Sequence, residues 1–254
     1  MSKTTPQQKQ EIAAALEVFV KGWSLPRSFN HPCSGERVGP VWVVRDAPRK
    51  RAADYRYEEW VAFDIPAEEA DACARKGARA GYCICAILPA GEPDQPLRAA
   101  YKALGYRLIG TEPLMIHRLR RIPGAEAPVT LARVRTPEAA DAVRLAAGGK
   151  QILAEHLGHD DVLRLYAGSE DGRVVGWVRS VPVGDKSWVS NMHVIASHRR
   201  RGIGKALLGY MLKDDRRLGI TQSVLLSSRT GAMLYPHLGY EQIGMLYHYK
   251  RAKQ

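Results

Sequence analysis

Residues 190–208 read SNMHVIASHRRRGIGKALL, and this run decides the fold. An alternating strand-like segment, Ser190 to Ser197, breaks at Gly202 and Gly204 and continues as the apolar periodicity of a helix, with Ile203, Leu207, Leu208, Met211 and Leu212 recurring at helical spacing. A helix entered this way starts with amides that have no intrahelical acceptor. The glycines remove side chains that would block an approaching phosphate, and the helix N-terminus adds a partial positive field. Arg199, Arg200, Arg201 and Lys205 flank the turn and can add charge-assisted contacts. The run is neither a Walker loop, which needs GKS or GKT, nor a dinucleotide fingerprint, whose further glycine is replaced by Leu207. A pyrophosphate-cradling loop is the expected use.

Working outward, VLRLYAG and RVVGWVRSV flank the turn residues Asp171 and Gly172 and predict a hairpin, with KSWVSNMHVI as a third strand after a turn at residues 183–185. Upstream lie a strand over 129–134, a helix across PEAADAVRLAA and a short helix near ILAEHL. Downstream, the strand TQSVLL leads to a helix ending at HLGY, where Gly239 is suited to a left-handed cap, and a last strand or pair closes the unit. This order implies an α/β (α+β) fold with a mixed, mostly antiparallel twisted sheet flanked by helices.

The chain contains a duplication. YKALGYRLIG from Tyr101 and YPHLGYEQIG from Tyr235 agree at Tyr, Leu, Gly, Tyr, Ile and Gly with a constant offset of 134 residues. Two related units follow, at 1–122 and 128–254, joined near RRIPGAEAP where Pro and Gly interrupt structure. In the first, QEIAAALEVFVKGW predicts a helix, VGPVWVV and EEWVAFDI strands, and PAEEADACARKGARA a helix opening at Pro66. That last segment carries acidic residues where the second unit carries its glycines and arginines.

Composition sets the outer limits. With 254 residues, 45% of them hydrophobic and 25% charged, the chain is globular, and it has no run of apolar residues long enough to span a membrane and no signal core near its start. A cytoplasmic, soluble protein, monomeric or homodimeric, is expected. The net charge of +12 raises nucleic acid as a partner, but the excess divides as +4 before Pro128 and +8 after it, and its densest run is the short glycine loop, so nucleic acid is disfavoured. Cys33, Cys73, Cys83 and Cys85 read as thiols, because neither CxxC spacing nor a nearby histidine accompanies the pair in GYCICAIL; no metal site is expected there or at His156 and His159.

The loop RRRGIGKALL, with Arg199, Gly202 and Gly204, and the downstream MLYPHLGY, with Tyr235 and Gly239, resemble two motifs of the GCN5-related N-acetyltransferase (GNAT) superfamily. The resemblance is strong over residues 129–250 and weak in the first half, implying a tandem chain with a degenerate first unit and a catalytic second one. It implies acetyl-CoA as cosubstrate and a primary amine of a small molecule or peptide as acceptor, attacked directly in a ternary complex. Carried over residue by residue, it assigns the backbone of Met192 and Val194 and the side chain of Ser228 to the pantetheine arm. Arg199, Arg200, Arg201, Gly202, Ile203, Gly204 and Lys205 take the pyrophosphate, and Tyr235 protonates the leaving thiolate.

The family's strand glutamate has no counterpart, since no acid occurs between Lys186 and His198, and this leaves His193, Asn191 or a water as base. Asn191 and His193 are expected to share a strand face. Serine at 228 stands where the family carries asparagine, and it can reach the pantetheine or cap a helix. The absent glutamate leaves a second reading, a catalytically silent acyl-CoA sensor or interaction module.

Overall fold

The computed structural model describes residues 4–124, 126–228 and 231–251. They form two compact units that are discontinuous in sequence. One comprises the residues up to Met115 together with Leu226–Ala232 and those from Gln242 on; the other comprises Ile116–Leu225 and Met233–Glu241. The expected junction at 120–128, whose Ala125 lies outside the described residues, is therefore not where the first unit ends.

The first unit opens with α1 (Pro6–Arg27), whose start is fixed by a capping box: the Thr5 hydroxyl accepts from the Gln8 amide and the Gln8 side chain accepts from the Thr5 amide. Its Ile12, Ala15, Leu16 and Phe19 are buried. β1 (Cys33–Val38) and β2 (Val41–Asp46) pair antiparallel. Gly39, at φ 61°, and Pro40 form the turn between them, so VGPVWVV is a turn and a strand rather than one strand. β3 (Glu58–Phe63) follows, then α2 (Ala67–Gly77) and β4 (Tyr82–Pro89), with β3 and β4 parallel across the helix. α3 (Gln95–Ala103) and β5 (Tyr106–His117) complete the run.

The second unit contains β6 (Thr130–Arg133), α4 (Pro137–Ala147), β7 (Arg164–Glu170), β8 (Arg173–Val183), β9 (Lys186–Val194), α5 (Ile203–Arg217) and β10 (Gln222–Leu226). The strand order is β10-β9-β8-β7-β6; three antiparallel pairings are followed by the parallel pair of β9 with β10 across α5. Positive φ at Asp171 and Gly172 makes the expected hairpin turn. Ile203, Leu207, Leu208, Met211 and Leu212 of α5 are buried. Leu207 reaches the sheet because Gly168 and Gly176 lack side chains: a Cβ on Gly176 would lie 3.0 Å from Leu207 Cδ1. Beneath the helix, buried Asp215 accepts hydrogen bonds from Ser180 and Ser187 and pairs with Arg164 at 2.9 Å.

Two expectations are corrected in the last third. The helix expected before HLGY is a pair of single 3-10 turns, Gly231–Met233 and Tyr235–Leu238; Pro236 has no amide to donate to a continuing helix, and Arg229 and Thr230 lie outside the described residues. The final strand, β11 (Glu241–Arg251), does not close the second sheet. It enters the first unit, in the order β1-β2-β3-β4-β11-β5, antiparallel to β4. Its aromatic side chains explain the choice: Tyr249 stacks on Tyr101 at 4.2 Å, Tyr101 meets Tyr106 edge-on at 5.9 Å, and Tyr247 joins the same buried cluster. The pairing also sets His248 opposite Cys85, overturning the expectation that no histidine accompanies the cysteines.

The two repeated segments share a local geometry. Gly105 and Gly239 both adopt left-handed backbone, at φ 81° and 92°, and each precedes a buried tyrosine that meets the repeat's first tyrosine ring edge-on, at 5.9 and 5.5 Å. Among the described residues no helix is long and apolar enough to cross a membrane.

Candidate functional site

β9 carries an irregularity that the sequence did not reveal. Its register with β8 pairs Arg179 with Ser190 but Trp177 with His193, so an extra residue is accommodated between them, and Asn191 adopts φ 49°. This bulge breaks the alternation that would put Asn191 and His193 on one face. Asn191 Nδ2 donates to Gln151 Oε1 at 2.5 Å, whereas the His193 ring stacks on Trp177 at 4.6 Å and 22°. Partial burial, with the nearby charge of Arg199, holds the His193 pKa below its ordinary value, so the imidazole is neutral at pH 7.

After β9 a short 3-10 turn, Ala196–His198, leads into the glycine loop. Gly202 caps α5 with φ 80°, and the first intrahelical bond runs from the Ala206 amide to the Gly202 carbonyl at 3.0 Å. The amides of Ile203, Gly204 and Lys205 therefore precede the helical ladder. A Cβ on Gly202 would meet nothing within 4 Å, so this glycine serves conformation and the space before the helix is open. Gly204 is different: a Cβ there would sit 3.0 Å from Met192 Cε and 3.6 Å from Leu234 Cδ2. That close approach brings β9, the start of α5 and the Tyr235 turn together.

The basic residues divide. Arg199 Nε donates to the Val194 carbonyl at 2.9 Å and ties the loop to the end of β9. Arg201 is engaged by Glu170 of the β7–β8 hairpin, with His198 on the same carboxylate at 3.2 Å, and so acts as a brace. Arg200, at φ 65°, and Lys205 make no ion pair among the described residues, which leaves them for an anion. Tyr235 is 8% exposed, burial pushes its pKa up to about 12, and its hydroxyl makes no hydrogen bond among the described residues. It is protonated at every physiological pH. Ser228 Oγ accepts from the Gly231 amide at 3.2 Å, which leaves its own proton to donate. Asp160, near His156 and His159, is committed to Arg133.

Trp177 reads from its alternating strand as a core or pocket-wall residue, but sequence reasoning missed its stacking on His193, and it missed Gln151 and Glu170. Counting back from the β8–β9 turn pairs Trp177 with Met192, and only the bulge moves it to His193. Gln151 and Glu170 approach through tertiary packing and leave no local signal.

A bulged strand running through a glycine turn into an open helix N-terminus, with a buried tyrosine on the turn packed against it, makes up the candidate site. Residues 161–242 match the family described as Acetyltransferase (GNAT) domain, a family whose general chemistry is acyl-CoA-dependent acetyl transfer. Among solved structures, a GCN5-related N-acetyltransferase from Kribbella flavida superposes with a TM-score of 0.66 at 19% identity, covering 95% of this chain and 96% of that one. A GCN5-related N-acetyltransferase from Sphaerobacter thermophilus gives 0.55 at 20% identity, covering 82% and 75%. A tandem GNAT protein from the clavulanic acid biosynthesis pathway gives 0.52 at 16%, covering 82% and 78%. These likenesses concern the fold. No curated protein matches the chain.

Proposed function

We propose that the protein is a cytoplasmic acetyl-CoA-dependent N-acetyltransferase that acetylates a primary amine of a small molecule or peptide by direct attack in a ternary complex. In this reading the second unit is catalytic and the first is a degenerate relative of it. The observation that carries the proposal is the open start of α5: amides of Ile203, Gly204 and Lys205 ahead of the helical ladder, in front of a Gly202 whose missing side chain leaves clear space. These residues fit a pyrophosphate, with Arg200 and Lys205 as its cations, while Arg199 holds the end of β9 in place through Val194. The backbone of Met192 and Val194 beside the bulge receives the pantetheine arm.

Acetyl-CoA, when bound, supplies an activated thioester. The chain supplies the proton transfers. His193, neutral and held flat by Trp177, accepts the proton that the amine loses as the C–N bond forms. Tyr235, kept protonated by burial, gives its phenolic proton to sulfur as the C–S bond breaks. The test is calorimetry with acetyl-CoA followed by coenzyme A release across a broad panel of amines. Submillimolar binding with amine-dependent release is expected; absence of both overturns the proposal, and binding without release by any amine identifies an acyl-CoA sensor instead.

A further inference from the structure

Outside the acetyl-transfer site, the first unit gathers three metal-ligating side chains. Cys83 and Cys85 lie two apart on β4 and share a face, and the antiparallel register with β11 sets His248 opposite Cys85. Cys83 Sγ and Cys85 Sγ are 3.9 Å apart, and Cys85 Sγ is 3.5 Å from His248 Nδ1. All three donor atoms lie within 4.8 Å of one another. The other ring nitrogen, Nε2, is 3.1 Å from Glu112 Oε2 on β5.

These separations have a geometric meaning. A tetrahedral zinc ion with Zn–S of about 2.3 Å and Zn–N of about 2.0–2.1 Å requires ligand edges of about 3.8 Å for S to S and about 3.6 Å for S to N. Two of the cluster's three edges lie within about 0.1 Å of these values, and the third, from Cys83 Sγ to His248 Nδ1, is at most 4.8 Å, so that binding draws these two donors together. A disulfide, by contrast, needs the sulfurs at about 2.05 Å, and both thiols are free. Two thiols and an imidazole select a borderline or soft ion over magnesium or calcium. The carboxylate on the far nitrogen fixes the tautomer that leaves Nδ1 as a lone-pair donor, the usual outer-shell partner of a ligating histidine.

We propose that the first unit binds one zinc ion through Cys83 Sγ, Cys85 Sγ and His248 Nδ1, with Glu112 as the positioning residue. Binding exchanges two S–H protons, released to solvent, for two S–Zn bonds, with no change of oxidation state. Three protein ligands leave a fourth coordination position for water or an exogenous donor. Cys83 and His248 are only half-buried, which gives the ion a way in. The ion would clamp β11 to β4 with metal–ligand bonds added to the backbone ladder that already joins them.

The test uses the full chain, stripped of metal by a chelator and titrated with cobalt(II), then with zinc, in the absence of any acyl donor, so its result is independent of the acetyl-transfer proposal. One equivalent of cobalt is expected to bind with a sulfur-to-cobalt charge-transfer band and the intense visible bands of tetrahedral coordination, and zinc is expected to bleach both. Cys83→Ser and His248→Ala should abolish the stoichiometric signal, Cys73→Ser should leave it intact, and Glu112→Gln should weaken binding by about 10- to 100-fold. Because Cys85 is fully buried, the more accessible Cys83→Ser is the decisive variant, with circular dichroism verifying that it folds. Failure of the wild-type chain to take up one equivalent, or uptake undiminished in folded Cys83→Ser and His248→Ala, overturns the assignment.

Discussion

Tyr235 and Tyr249 are both buried phenols whose hydroxyls find no partner among the described residues, and their substitution should have opposite consequences. Tyr235 sits on the turn that packs against the start of α5, so Tyr235→Phe is expected to lower kcat by about 100-fold or more while leaving affinity for the acyl donor unchanged. Steady-state kinetics with calorimetry would separate the two. In Tyr249 the orphaned hydroxyl is a cost carried by the aromatic stack, so Tyr249→Phe should be neutral or raise stability by up to about 1 kcal/mol in urea denaturation. His193 yields a pH signature. In the proposed mechanism its neutral form is the working one, and its pKa lies below the ordinary value, so kcat/KM should rise with pH along a limb whose midpoint lies below about pH 6.5. Arg199→Gln removes one of the two lowering influences and should move that rising limb to higher pH. The glycine turn was legible because Gly202 and Gly204 belong to a local pattern, while the pairing of Trp177 with His193 was hidden by one extra residue in β9.

At the scale of elements, α5 and its strand neighbours followed from periodicity and turn chemistry, since Gly202, Asp171 and Gly172 take the conformations their residue types favour. What could not be read was which glycine is there for space and which for conformation. Gly176 is there for space, with Leu207 Cδ1 and the His193 carbonyl both 3.0 Å from where its Cβ would be, and its φ is ordinary. Gly176→Ala should therefore destabilise the second unit by about 1–3 kcal/mol through overpacking, measured as a lower Tm. The hairpin of β1 and β2 carries a different liability. Burial works against the ionised Asp46 carboxylate, but hydrogen bonds from Arg56 and Arg49 prevail and hold its pKa at about 2. A carboxylate depressed on folding stabilises above its unfolded value of about 3.9 and loses that contribution as pH falls toward the folded value. Acid titration of the intact chain should show a stability loss between about pH 4 and pH 2 that is missing in Asp46→Asn, which will already be weaker at pH 7.

For the molecule as a whole, the segments beginning at Tyr101 and Tyr235 share a left-handed glycine and an edge-on tyrosine pair, yet the boundaries drawn from their likeness assumed that each repeat keeps its own strands. The destination of β11 is decided by what Tyr247 and Tyr249 pack against, a long-range preference that periodicity does not encode. The same transfer explains why Cys83 and Cys85 looked solitary, because the imidazole beside them comes from 163 residues away. It also imposes a schedule on synthesis. The slot between β4 and β5 can be filled only by residues that the ribosome makes after residue 240, so the unit whose chain emerges first is completed last, after all of β6 through β10 has been made. Until then β4 and β5 present unpaired backbone edges, and a stalled or shortened chain would leave those edges open to pairing with a neighbour.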